Sequence, residues 1–221
     1  MLKLLKNNIR AVPQASTADI ELGDVGYAAV LLAITDNEEN PEVILTKRAV
    51  HLNSHSGEVS LPGGKWETSD ADLLQTALRE SWEEIDLQPS SVDVLGSLSA
   101  AYTWQSIKVA PFVGVVPEGV ILKPNPNEID SIFKVPLRFF LEDKRIRTDV
   151  FPHPSGQVWS PAYEFDGYEI WGFTARLMIN FVNDFCGAKI QCENSAPIKD
   201  WTHIVAQLEK DLGRDFPDDK A

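Results

Sequence analysis

Apolar residues along this chain fall into short runs and helical stripes that alternate. Tyr27 to Thr35 is a nearly unbroken apolar run of strand length, and residues 43–46 would pair with it after a polar turn carrying Asn37, Glu38, Glu39, Asn40 and Pro41. Leu74, Ala77, Leu78, Ser81 and Ile85 recur at helical spacing and predict a buried stripe. Ser69 and Asp70 stand where its N-cap is expected, with Asp72 at capping-box spacing from Ser69. Residues 92–99, 109–116 and 132–137 are further strand candidates. Residues 163–171 predict a hairpin around a type I′ Asp166-Gly167 turn. Gly172 then leads into a helix over 174–185, striped by Leu177, Met178, Phe181, Val182 and Phe185. A last amphipathic helix is predicted over 201–212. Mixed strands with helices on each side predict an α/β protein, an α/β/α sandwich around a central mixed sheet.

The polar face of the first of these helices changes the picture. Glu80, Glu83 and Glu84 lie in its second half, just after Arg79. Positions three and four apart share a helical face, so Glu80 lies beside both other glutamates. Like charges at that spacing cost about 0.2–0.5 kcal/mol per pair unless a cation neutralises them. Carboxylate clusters on helices are most often solvated faces. Here the cluster follows Leu61-Pro62-Gly63-Gly64, a breaker that lets backbone approach the helix and a phosphate ligand closely. A hard divalent cation would convert the repulsion into a binding site.

Gly64, Arg79, Glu80, Ser81, Glu83, Glu84 and Leu87 follow the order of the box of the Nudix hydrolases, which the sequence resembles. Three positions depart from that pattern. Asp70 stands where the first glutamate is expected, one extra residue separates it from Arg79, and Asp86 replaces the late glycine. Aspartate tolerates the left-handed conformation required at that helix end. Upstream, Ile44-Leu45-Thr46-Lys47-Arg48-Ala49 and the stretch from Leu52 through Gly57 to Gly64 resemble the signature of the coenzyme A pyrophosphatase branch. Asn53 stands there in place of an arginine and Leu61 in place of a phenylalanine. The resemblance covers about residues 26–185.

This resemblance implies a Nudix-type sandwich with a central mixed β-sheet and metal-dependent hydrolysis of a phosphoanhydride. It implies Glu80 and Glu84 as metal ligands, Glu83 as a further ligand or catalytic group, and the Gly64 carbonyl completing the shell around Mg²⁺ or Mn²⁺. Arg79, placed one turn before Glu83, orients a glutamate. Glu128, in a Pro/Asn loop, is the leading general-base candidate, ahead of Glu58. Arg48, His55, Gly63 and Gly64 are the expected substrate-binding residues. The branch implies coenzyme A or acyl-coenzyme A as substrate, giving 3′,5′-adenosine bisphosphate and 4′-phosphopantetheine. Asn53 motivates the alternatives: NADH, ADP-ribose or another nucleoside diphosphate derivative. A non-catalytic nucleotide-binding regulator is the remaining alternative, against which the retained glutamates count. The aromatic residues Trp104, Phe112, Phe139, Phe140 and Trp159 are expected to be core more often than a pantetheine channel.

Composition sets outer limits. The 221 residues carry a net charge of −13, which argues against nucleic-acid binding through a basic surface. It leaves a small-molecule nucleotide open as substrate, because metal ions supply the local positive charge. Cys186 and Cys192 fit neither a disulfide framework nor a common zinc pattern and are expected to be reduced. Residues 1–10 lack the apolar core of a signal peptide, and no apolar stretch reaches the length of a membrane span. These features predict a cytoplasmic protein with no membrane contact. Without a linker, repeat or low-complexity tract, residues 1–221 are expected to form a single domain, with a core at 26–185 and a helical extension after 186. A homodimer is compatible with the sequence.

Overall fold

The structure, a computed structural model, describes residues 1–10, 26–52, 54–103, 107–153 and 156–204. Its centre is β1 (Tyr27–Thr35), hydrogen-bonded in parallel to β7 (Lys108–Val116) along its whole length. Leu31 and Ala33 face one apolar cluster, while Leu32 and Ile34 face another. That two-sided burial explains why β1 reads as an unbroken apolar run rather than an alternating one. The sheet runs β3 (Val59–Ser60), β2 (Glu42–Arg48), β1, β7, β5 (Asp93–Ser97), and every pairing in it except β1 with β7 is antiparallel. At its margins β4 (Gly63–Lys65) pairs with β1, β6 (Ala101–Tyr102) with β7, and β8 (Ile129–Pro136) with β2.

One detail of this sheet positions the site. β2 meets β1 in register only at Ile34 opposite Val43, and the far end of the same edge is taken by β4, at Ala28, Ala29 and Val30. The Gly63-Gly64 turn is therefore laid against the sheet beneath α2 (Leu73–Ile85). α2 covers one face through Leu73, Ala77 and Ile85. On the opposite face lie α1 (Leu2–Arg10), α3 (Leu137–Leu141) and α4 (Gly172–Cys186). The molecule is thus a mixed sheet between helical layers.

A second, four-stranded sheet orders β11 (Tyr168–Ile170), β10 (Gly156–Phe165), β9 (Arg147–His153) and β12 (Ile198–Asp200). Its Tyr163 and Ile170 enter the core on the α4 side. Asp166 and Gly167 both take positive φ, 49° and 81°, as a type I′ hairpin turn requires. Buried Arg145 lies over the Trp159 ring at 4.9 Å and donates to Asp143 and to the Gln191 carbonyl, so it ties the segment after α4 to this sheet. Phe112 and Phe140 are core, and Phe139 packs edge-on against Phe140, Tyr163 and Phe165. Trp104 lies outside the described residues.

The structure adds one element to those expected and corrects one helix cap. Residues 1–10 carry a helix: Leu2, Leu5 and Ile9 are buried, and Asn8 donates to the Phe185 carbonyl at the end of α4. Leu5→Ala is expected to lower stability by about 3 kcal/mol, read as a lower urea midpoint. An unchanged midpoint would mean that α1 contributes nothing to the core. The cap of α2 is Asp72, accepting from Gln75 N at 2.8 Å, rather than Ser69 or Asp70. Helical residues after Trp201 are described only at 202–204, and the remainder of the helix expected over 201–212 lies outside the described residues. Both cysteines are free, and burial pushes the Cys186 thiol up to about 11. Among the described residues no helix is long and apolar enough to cross a membrane.

Candidate active site

α2 is pinned at both ends, which fixes where its glutamates point. Asp72 caps the start, and Asp86 closes the end at φ 56°, with its N–H reaching back to the Ser81 and Trp82 carbonyls. Glu84 points inward and is 1% exposed. Its Oε2 accepts from Gly63 N at 3.1 Å, and its Oε1 faces Arg48 Nη1 at 3.4 Å. Burial nevertheless pushes its carboxyl up to about 8, against the opposing pull of the Gly63 N–H and Arg48; the charges of Glu80 and Glu128 add to the rise. Glu80 is also raised, first by burial, with Arg79 pulling the other way and Glu83 and Glu128 adding to the rise.

The glycine pair is required by this geometry. Gly63 has φ 150°, and a Cβ there would run into the Ala29 carbonyl and Val30 Cα. A Cβ on Gly64 would collide with the Glu80 carboxylate itself. Glycine at both positions brings backbone and carboxylates together.

Arg79 is clamped on four sides. Its Nε and Nη2 donate to Asp70 Oδ1 and Oδ2 at 2.8 and 3.0 Å, and Nη2 also reaches the Lys65 carbonyl at 3.1 Å. The remaining contacts are Glu80 at 3.0 Å and Glu83 at 3.1 Å. The Asp70 carboxyl is held below its ordinary value chiefly by Arg79, and Arg79 is held above its own. Glu83 is half exposed and has no other ion-pair partner among the described residues.

Glu128 arrives by backbone docking. Lys123 N donates to the Ile85 carbonyl at 3.0 Å and Asn125 N to the Glu84 carbonyl at 2.8 Å, which seats the loop on the end of α2. Asn125 O then accepts from Glu128 N and Ile129 N, and the turn leaves Glu128 half-buried and close enough for its charge to act on Glu80 and Glu84. His55 is placed differently. It has φ 55° and meets Glu58 at 2.9 Å. Glu58 lines an open cleft of about 440 Å³ with Lys47, Gly57, Tyr168 and Trp171. Lys47 lines this cleft while Arg48 meets Glu84, and the register of β2 on β8 shifts between these two residues. Asn53 lies outside the described residues.

The donor set consists of carboxylate and carbonyl oxygens, which fits a hard divalent cation. A buried carboxylate raised in spite of two favourable contacts is undercompensated and would gain from such a charge. Among the described residues no three His, Cys, Asp or Glu side chains are already drawn together as around an ion. Arg48 and Arg79 hold the carboxylates instead.

Residues 26–151 match the family model described as the NUDIX domain. The chain belongs to the Nudix family. It is 38% identical over 159 residues to the mitochondrial Nudix hydrolase 15 of Arabidopsis thaliana, covering 69% of this chain and 56% of that protein. It is 35% identical over 153 residues to the Nudix hydrolase NudL of Salmonella newport, covering 68% and 78% respectively. The chain thus spans only about half the length of the plant relatives it matches. The solved Ap4A hydrolase of C. elegans aligns with a TM-score of 0.44 at 16% identity, over 53% of this chain and 85% of that one.

Within the Nudix box, the structure brings together Glu80, Glu83, Glu84, Arg79 and Gly64, adds Gly63 and Arg48, and places Glu128 beside them. His55 stands apart. Sequence reasoning missed the part of Asp70, which anchors Arg79 and also accepts from Thr76 Oγ1 at 2.9 Å. The available signal was an aspartate preceding a box arginine, too far from it for a helical pair.

Proposed function

We propose that this Nudix protein hydrolyses the pyrophosphate bond of coenzyme A or acyl-coenzyme A in a divalent-metal-dependent reaction. The products are 3′,5′-adenosine bisphosphate and (acyl-)4′-phosphopantetheine. One observation supports this above others: Arg48, from the segment resembling the coenzyme A branch, and the Gly63 N–H, from the box turn, meet on the two oxygens of Glu84.

Glu80 and Glu84 would hold the cation, with Glu83 and the Gly64 carbonyl completing its shell; Mg²⁺ and Mn²⁺ suit these oxygens. A bound cation of this kind neutralises non-bridging phosphate oxygens and lowers the pKa of water. Arg79 orients Glu80 and Glu83 through the Asp70 clamp. Glu128 takes the proton of the attacking water as its oxygen bonds to phosphorus and the bridging P–O bond breaks, with Glu58 the lower-ranked alternative. Arg48, His55, Gly63 and Gly64 contact the substrate. A soluble nucleotide, not a nucleic acid, and a cytoplasmic setting complete the proposal.

The test is kcat/KM for coenzyme A, acetyl-coenzyme A, NADH and ADP-ribose with Mg²⁺ and with Mn²⁺. A coenzyme A thioester or thiol preferred by tenfold or more supports the assignment. Preference for NADH or ADP-ribose, which the Asn53 departure favours, would overturn the substrate and leave the reaction class. Arg79→Lys is expected to lower kcat by about 10–100-fold, because an ammonium cannot hold Asp70, Glu80 and Glu83 in one planar fork. Unaltered kcat would remove Arg79 from the machinery.

A further inference from the structure

The two arginines of the site are held very differently. Arg79 is fixed by a bidentate aspartate and a backbone carbonyl, neither of which a cation on the glutamates would claim. Among the described residues, the Arg48 side chain has one long polar contact, 3.4 Å to Glu84 Oε1. Its Nε is buried without a hydrogen-bond partner among the described residues. A donor left in that condition costs free energy, so another arrangement that satisfied it would be favoured. Its side chain is 24% exposed, against 2% for Glu84, so Arg48 reaches solvent where the carboxylate does not.

Glu84 has little to offer two cations at once. Oε2 already accepts from Gly63 N, and Oε1 faces Arg48. A divalent ion bound through Oε1 would stand against the guanidinium, and like charges at that range repel strongly in a partly buried site. One of the two must leave. Building on the metal-dependent hydrolysis proposed above, we propose that Arg48 is an exchangeable counter-ion of Glu84. The divalent cation displaces it, and the released guanidinium turns to a phosphoryl oxygen of the substrate. Arg48 thereby couples metal loading to substrate binding: it holds the buried carboxylate in the free protein and becomes available to phosphate only in the loaded one. The planar fork suits both partners, since carboxylate and phosphate present similar paired oxygens.

The exchange makes an unusual prediction, because removing a positively charged binding-site residue should strengthen cation binding. Mn²⁺ affinity is measured calorimetrically on chelator-stripped protein without nucleotide, at pH 8.5, where protons compete least for the carboxylates. Arg48→Gln is expected to bind Mn²⁺ about tenfold more tightly than wild type, as release of a charge-assisted pair before binding is no longer needed. Arg48→Lys, which retains a competing charge, should stay close to wild type. With Mn²⁺ saturating, Arg48→Gln should raise KM about tenfold with kcat changed far less. Equal or weaker Mn²⁺ binding by a folded Arg48→Gln protein would overturn the exchange while leaving the metal-dependent hydrolase in place. Failure of wild type to bind Mn²⁺ at all would overturn both. The wild type also gives a reading independent of any substitution: the Arg48 Nε–H signal in a ¹⁵N spectrum should shift on saturation with Mg²⁺, and an unmoved signal contradicts the exchange.

Discussion

Glu84→Gln is expected to stabilise the metal-free protein at pH 8 and to abolish its turnover. In the unfolded chain this carboxyl titrates near 4.5, and in the folded protein burial pushes it up to about 8. Below pH 4.5 both states hold the proton and Glu84 contributes no pH dependence. As pH rises through that value the unfolded chain releases its proton while the folded one keeps it, so folding loses free energy until the folded carboxyl also ionises near 8. The loss attributable to this one group is on the order of 4 kcal/mol. Glutamine removes it while still accepting from the Gly63 N–H. Melting curves of chelator-treated wild type and Glu84→Gln from pH 5 to 9 should therefore diverge, with wild type falling faster. Parallel curves would mean that Glu84 is already fully compensated. Activity moves the other way: loss of the buried carboxylate proposed to hold the cation should lower kcat by about 10³-fold, or ~4 kcal/mol of transition-state stabilisation.

The glycine turn separates folding from chemistry in two neighbouring residues. Gly63→Ala places its methyl group against the Ala29 carbonyl and Val30 Cα, which belong to the central strand and cannot move aside. Backbone strain at positive φ and the steric clash together should cost about 4 kcal/mol, seen as a large drop in urea midpoint. Gly64→Ala meets first the carboxylate end of Glu80, which can swing away. That variant should keep most of its stability and lose turnover and Mn²⁺ affinity together, because Glu80 is driven from its place. Similar stability loss in both variants would show that the turn is purely structural.

These contrasts bear on what the sequence could disclose. β1 was legible because both its faces are buried, and the α2 stripe because Leu74, Ala77 and Ile85 keep helical spacing. The left-handed Asp86 was legible because a helix that must end there has few other residues able to do it. The cap was not: Ser69, Asp70 and Asp72 all qualify locally, and the choice is made by Arg79, which claims Asp70 from a distant turn. α1 escaped because only three of its nine residues are buried. The β9–β10 pair was hidden by Pro152 and Pro161 and by a buried Asp149 that Arg147 and Trp201 hold. Glu128 was legible as a loop carboxylate only. The backbone bonds that carry it to α2 leave no trace in side-chain pattern.

The most direct test of the central claim is product analysis of coenzyme A incubated with Mg²⁺ or Mn²⁺ and either wild type or Glu84→Gln. Metal-dependent release of 3′,5′-adenosine bisphosphate and 4′-phosphopantetheine by wild type, with Glu84→Gln inert, is the predicted result. Equal product from both proteins, or none from wild type, would contradict the assignment of this carboxylate site to coenzyme A pyrophosphate hydrolysis.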